Sequence, residues 1–226
     1  KVGQSMGHVL SHRGPDAGDV WVDAETGVCL AHRRLTVVDL TETGHQPMES
    51  SCGQFVTIYN GEIYNAEELR TELLAKGRIF RGHSDTEVLV EGCAVWGVQE
   101  MAKRLVGMFA FAIWDKRERR LTLVRDRLGI KPLYWGLIGK QLLFGSELKA
   151  LRTHPDCPKD VDRNAVASFL RYSNIPAPLT IYRGIEKLQP GHMLSFDGVK
   201  GIPIVESYWT LEDAVQTGKD NLLSGN

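Results

Sequence analysis

Apolar positions recur along this chain at two spacings, and the changes from one spacing to the other mark its elements. Val2, Met6, Val9 and Leu10 fall on one side of a helix predicted over residues 2–12, which "HRGPD" ends because Gly14-Pro15 forces a turn. Strands follow in quick succession. "DVWVD" and "VCLAHRR" flank "AETG" as a hairpin, and "TVVDL" is a third strand before the loop "TETGHQP". "QFVTIYN" alternates and ends at Asn60-Gly61. Two helices come next. "AEELRTELLAKG" puts Leu69, Leu73 and Leu74 on one face, with Asn65 as N-cap and Gly77 as its stop. "SDTEVLVEGCAVWG" opens with Ser84 in the cap position and Glu87 three residues on, the capping-box spacing.

A helical stretch over 98–106 precedes "MFAFAIWD" and "RRLTLVRD", strands around the charged turn "KRER". "KPLYWGLI" and "QLLFGSE" pair around Gly139-Lys140, helices cover "ELKALRT" and "RNAVASFLRY", and "GHMLSFDG" is a last strand. Residues 211–226, ending "QTGKDNLLSGN", lose periodicity and read as a linker or frayed end. Strands joined by hairpins, with helices inserted in groups, argue for an α+β fold rather than a doubly wound parallel sheet. "MFAFAI" and "CLAH" are apolar on both sides, as in a sheet covered on two faces. Two sheets stacked between helical layers in one compact domain satisfy this pattern.

Composition narrows the function classes. The 226 residues are 42% hydrophobic and 24% charged, with a formal net charge of −1. A near-neutral chain carries no electrostatic footprint for nucleic acid or an anionic membrane. No apolar run approaches the roughly 20 residues of a membrane span, and no signal-peptide pattern is visible. Cys29, Cys52, Cys93 and Cys157 lie far apart without a CxxC pair, which suits reduced thiols of a cytoplasmic protein. The seven histidines show no i, i+4 zinc spacing, so no metal is expected.

Candidate chemistry gathers at a few places. Asn60-Gly61 is a strong hairpin signal, yet "EIYNAEELR" leads into a helix rather than a second strand. An asparagine amide and the following backbone N–H also form a donor pair suited to the oxyanion of acyl transfer. Arg33-Arg34 is either a solvated pair at a strand end or a source of one guanidinium for a carboxylate. Asp85 is either an acidic first-turn residue or the partner of an amino group. One of these arginines and Asp85 together could grip the α-amino acid end of a substrate. "RDRLGIKPLYW" and "FGSELKAL" suggest salt-bridged strand termini, and His45 and His83 are loop histidines that could act as bases.

The order of "HRGPD", "HRRLTVVDL", "GHQPM", "NGEIYN", "SDTEVLVEG", "GMFAFAIWD", "RDRLGIKPLYW", "SELKAL" and "LQPGHMLSF" from residue 12 to residue 196 is more specific than any one of them. That run resembles the glutaminase domain of glutamine-hydrolysing asparagine synthetases, class II amidotransferases of the N-terminal nucleophile hydrolase superfamily. The resemblance implies a four-layer αββα sandwich of two antiparallel sheets between helices. It also implies hydrolysis of L-glutamine to glutamate and ammonia by an N-terminal cysteine whose α-amino group is the base. By similarity, Asn60 and Gly61 form the oxyanion hole, Arg34 holds the substrate α-carboxylate and Asp85 its α-ammonium. Leu35, Thr36, Val37, Val38 and Glu62 line the same pocket. The resemblance further implies a C-terminal synthetase domain that uses ATP and Mg to convert aspartate to asparagine, and leaves a homodimer open. No cofactor is expected in residues 1–226 themselves.

Two departures accompany the resemblance. The family opens with a short "CGI" strand, whereas this chain starts at Lys1, inside the following helix, and none of its four cysteines can take the nucleophile's place. The expectation is a glutamine amidotransferase type 2 domain over residues 1–210 whose first strand and cysteine precede the sequence in hand. No ATP-binding "SGGxDS" loop follows, so the synthetase half lies outside this chain. A non-catalytic amino-acid-binding module and the amidotransferase domain of a different amide-forming ligase are the alternatives.

Overall fold

The computed structural model describes residues 1–35, 42–198 and 201–221. In chain order the elements are α1 (Val2–His8), β1 (Ala17–Asp23), β2 (Val28–Arg34), β3 (Met48–Glu49), β4 (Phe55–Ile63), α2 (Ala66–Ala75), α3 (Asp85–Trp96), α4 (Val98–Arg104), β5 (Gly107–Asp115) and β6 (Arg120–Arg125). Then come β7 (Tyr134–Ile138), β8 (Gln141–Gly145), α5 (Leu148–Leu151), α6 (Arg163–Tyr172), β9 (Glu186–Lys187), β10 (His192–Asp197), β11 (Ile204–Ser207) and α7 (Leu211–Asp220). Single 3-10 turns occupy Ser11–Arg13 and Glu42–Gly44.

A six-stranded antiparallel sheet in the order β11-β10-β6-β5-β4-β3 forms the centre. Over one face lies a second layer in two pieces, the β1-β2 hairpin and the β8-β7-β9 sheet. Side-chain alternation along β4 shows how one strand serves both interfaces. Phe55, Tyr59 and Ile63 join the core shared with Leu69 and Leu73 of α2 and Val88 and Leu89 of α3. Val56 and Ile58 face Leu30 of β2 and Leu133 in the other core. β5 does the same, with Phe109, Phe111 and Ile113 on the helix side and Ala110, Ala112 and Trp114 toward the second layer. Burying each large side chain contributes about 1.5–3 kcal/mol of transfer free energy, so a strand apolar on both faces must be covered twice. Met6, Val9 and Leu10 of the α1 segment pack with Leu143, Ala150 and Leu151 and complete the outer helical layer. The α+β sandwich expected from the sequence is the observed fold.

Several local expectations change. β4 does not end at Asn60; it pairs with β5 through Gly61, Glu62 and Ile63. It can continue because Gly61 has no Cβ: one built there would sit 2.3 Å from the Met108 carbonyl oxygen and 2.7 Å from Phe109 Cα. The glycine serves strand-to-strand approach, not a turn. Asn65 sits at the start of α2, but its side chain donates to the Arg104 carbonyl (3.0 Å) and accepts from Val106 N–H (2.9 Å), tying α2 to the α4–β5 link. Where a linker or frayed end was expected, α7 forms over Leu211–Asp220 with Thr210 accepting from Asp213 N–H. "TVVDL" lies outside the described residues. In "RDRLGIKPLYW" Arg125 and Asp126 bind backbone instead of each other. Asp126 accepts from the N–H groups of Phe109, Leu128, Ile130 and Lys131, while Arg125 donates to the carbonyls of Gly129, Lys131 and Leu188.

Candidate active site

Among the described residues β2 has only β1 as a strand neighbour and β8 only β7, so each keeps one edge without a ladder partner. A cleft of about 1000 Å³ borders both edges, lined also by α1 and by Ala110, Ala112 and Trp114 of the central sheet. Its wall extends to the β3 side of that sheet, where Arg34, Leu35, Asn60, Gly61 and Asp85 all contribute.

The edge of β4 explains why these residues meet. β3 is two residues long and covers only Val56 and Thr57. Beyond it, side chains replace the missing strand. Gln46 Oε1 accepts from Tyr59 N–H (2.7 Å), and His32 Nε2 bonds the Tyr59 carbonyl (3.1 Å). Asp85 Oδ2 accepts from Ile63 N–H (3.1 Å). Gly61 lies between these two anchored residues. Its β5 partner Phe109 spends its own N–H and C=O on Asp126, so ladder alternation turns the Gly61 N–H toward the open edge. Asn60, on the same face as Ile58, buries its amide Nδ2 without a hydrogen-bond partner among the described residues. A buried orphan donor in a native fold asks for a reason. Here it stands next to an outward-pointing N–H in a cleft, the arrangement an oxyanion requires.

Asp85 is the first residue of α3, where a carboxylate is favoured by the helix dipole. The turn that delivers it is braced from below. Arg70 donates to the carbonyls of Gly82 (3.0 Å) and Ser84 (3.1 Å) and lies 4.3 Å from the Phe80 ring centre. Ser84 caps α3 through Glu87 N–H, and the buried Glu87 carboxylate accepts from the N–H groups of Arg81 and Gly82. Tyr59 OH donates to Asp85 Oδ2 at 2.7 Å, and burial together with that carboxylate pushes the phenol far above its ordinary value, so it stays a donor. Arg34 comes from the end of β2, in the opposite layer.

"HRGPD" and "SELKAL", distant in sequence, join at the rim. Glu147 lies 3.0 Å from His12 and from Arg13 and 3.1 Å from Lys149. Burial alone would raise its carboxyl, but these three donors outweigh that and hold it at about 2.

His32 behaves as a neutral imidazole. Burial lowers it to about 4, against a smaller opposing effect of its bond to the Tyr59 carbonyl; nearby His45 and Arg34 lower it further. Facing a carbonyl, Nε2 carries the proton, and Nδ1 is buried without a partner. Its folded value lies below the ordinary 6.5, so its stabilising effect is complete above pH 6.5 and is lost as the pH falls toward 4. The wild-type melting temperature is expected to fall more steeply across that window than that of His32→Gln, which keeps a donor for the Tyr59 carbonyl. Parallel melting curves against pH in the two proteins would contradict this.

Of the residues singled out from the sequence, Arg34, Leu35, Asn60, Gly61 and Asp85 share the cleft. Glu62 is exposed and lies outside the cleft lining. Thr36, Val37 and Val38 lie outside the described residues. His45 pairs with Asp19 at 3.1 Å on the surface, and His83 is not in the cleft lining. Gln46, Tyr59 and His32 were not picked out as site residues. The "GHQP" motif carried the only hint of Gln46; Tyr59 and His32 looked like ordinary strand positions.

The family profile described as a glutamine amidotransferase domain matches residues 1–209. Asparagine synthetase (glutamine-hydrolyzing) 3 of Bacillus subtilis is 41% identical over 217 residues, covering 94% of this chain and 34% of that protein. Asparagine synthetase (glutamine-hydrolyzing) 2 of the same organism is 35% identical, covering 97% of this chain and 30% of that protein. The chain thus spans about a third of the length of these curated relatives. A solved structure of the allosteric regulatory enzyme of purine biosynthesis superposes with a TM-score of 0.66 at 22% identity, over 92% of this chain and 46% of that one. A glutamine phosphoribosylpyrophosphate amidotransferase from B. subtilis gives 0.65 at 21% identity, over 92% and 47%. At such identities the two structures speak to the fold alone.

Proposed function

Because the chain belongs to the glutamine amidotransferase domain family, we propose that its cleft binds L-glutamine and hydrolyses the side-chain amide to glutamate and ammonia. The observation that carries this is the orphaned amide of Asn60 in the same cleft as Arg34 and Asp85. Arg34 takes the α-carboxylate and Asp85 the α-ammonium, so the substrate is fixed at one end and its carbamoyl group is presented to Asn60 Nδ2 and the Gly61 N–H. A cysteine thiolate attacks the carbamoyl carbon, and the tetrahedral oxyanion rests on those two donors. The C–N bond then breaks, and nitrogen leaves as ammonia with a proton delivered by the base. Water hydrolyses the thioester to glutamate.

In this reading the nucleophile stands at a mature N-terminus preceding Lys1, on an extended segment laid along the open edges of β2 and β8. Main-chain bonds to both edges would join the two pieces of the second layer into one sheet. The relatives' names support asparagine synthesis as the destination of the ammonia, and in this reading a further domain uses ATP and Mg to convert aspartate to asparagine.

The test is ammonia release from L-glutamine by the full-length protein, with asparagine formation from aspartate, ATP and Mg measured in parallel. The reading expects ammonia and glutamate in equal amounts and asparagine when the second set of substrates is present. Ammonia without asparagine would move the domain to another ligase. Glutamine binding with no ammonia above background would make it a binding module.

A further inference from the structure

A carboxylate that selects an ammonium must be held still, and the holding of Asp85 is done by residues with no part in the chemistry above. Among the described residues its hydrogen bonds, from Tyr59 OH at 2.7 Å and Ile63 N–H at 3.1 Å, both fall on Oδ2. None of the described residues donates to Oδ1, which faces the cleft's ligand with its lone pairs. Tyr59 is itself pinned through its main chain, its N–H donating to Gln46 Oε1 at 2.7 Å. The other end of Gln46 closes the circuit: Nε2 donates to Thr86 Oγ1 at 3.1 Å, and Thr86 is the residue after Asp85. The loop of bonds thus runs from β4 to Asp85, along the first turn of α3 to Thr86, through Gln46 and back to β4. Gln46, Tyr59 and Thr86 are 7%, 5% and 3% exposed, so these bonds are largely shielded from bulk water. Side-chain bonds of this kind could be mere glue between a strand and a helix. Two of them meet on one carboxylate oxygen at the cleft wall and the Gln46 pair ties the flanking residues together, which argues for more.

We infer that Tyr59 and Gln46 are positioning residues for recognition of the substrate's α-ammonium, holding Asp85 with Oδ2 saturated and Oδ1 left as the acceptor. The inference rests on the reading of the cleft as a glutamine site. Without the phenol, the carboxylate can rotate and must offer a ligand both oxygens in a looser arrangement. The penalty then falls on binding of the ammonium end, and a substrate without an ammonium escapes it.

The experiment compares wild-type, Tyr59→Phe and Thr86→Val full-length protein with L-glutamine and with glutaramate, which is glutamine lacking the α-amino group. Both substitutions keep shape, and melting temperatures report that the variants fold. Turnover is read with affinity, measured by calorimetry for both compounds. Tyr59→Phe is expected to raise KM and Kd for L-glutamine about tenfold, the scale of one hydrogen bond to a charged group, with a smaller change in kcat. Thr86→Val is expected to act in the same direction more weakly. For glutaramate the variants should match wild-type. An equal penalty on both compounds, or no penalty on either, overturns the inference, as does a wild-type protein that binds neither. Selective loss of glutamine affinity in a protein that releases no ammonia supports the inference while refuting hydrolysis, so the two readings fail separately.

Discussion

Asn60→Ala in the full-length protein is expected to lower glutamine turnover by roughly 10²–10³-fold, the scale seen when one oxyanion donor is removed. The loss should fall on kcat with KM little changed, because the donor acts on an oxygen that becomes charged only in the transition state. Stability should move the other way from most core substitutions. The Asn60 amide nitrogen is buried and has no hydrogen-bond partner among the described residues, so truncation removes an unsatisfied donor rather than a bond. A melting temperature equal to or above wild-type, with turnover reduced a hundredfold or more, is the expected pair of results. Unchanged kcat would remove Asn60 from the chemistry, and a large drop in melting temperature would mean that the amide has a structural partner.

Asp85→Asn should be nearly as severe by a different route. The substitution preserves shape and an acceptor for Tyr59 OH and Ile63 N–H, but deletes the charge that the ammonium is proposed to meet. Truncating one partner of a close charge pair costs about 2–4 kcal/mol, or roughly 30- to 1000-fold in kcat/KM. This loss should appear mainly in KM. The accompanying cost in stability is small, about 0.3–1 kcal/mol for a first-turn carboxylate on α3. Steady-state kinetics separate the two variants: a kcat defect in Asn60→Ala and a KM defect in Asp85→Asn. The same defect in both would contradict the division of labour.

Much of this architecture could be anticipated from alternation alone. The two-sided apolar pattern of "MFAFAI" required a sheet covered on both faces, and β5 is buried between two cores. Asn60, Asp85 and the Arg33-Arg34 pair stood out by their chemistry, the resemblance singled out Arg34 and gave the three their roles, and the cleft contains all three. What sequence spacing could not convey was closure in space. Asn60-Gly61 carries the composition of a turn, and only the close approach of Met108 and Phe109 shows that the glycine keeps a strand going. Tyr59 lies in an alternating strand like any aromatic, and its hydroxyl matters because Asp85, 26 positions later, sits across from it. Glu147 gathers its neighbour Lys149 together with His12 and Arg13, 135 and 134 positions earlier, a long-range meeting no local pattern encodes. The helix over Leu211–Asp220 did have a signal, the Thr210 to Asp213 cap, overshadowed by the polar stretch that follows it.

A crystal structure of the protein with L-glutamine bound tests the central claim most directly. The account predicts the α-carboxylate on the Arg34 guanidinium, the α-ammonium within about 3 Å of Asp85 Oδ1, and the carbamoyl oxygen at Asn60 Nδ2 and the Gly61 N–H, within ordinary hydrogen-bond distance. Glutamine seated elsewhere in the cleft, or reversed so that its carbamoyl end meets Arg34, would contradict it.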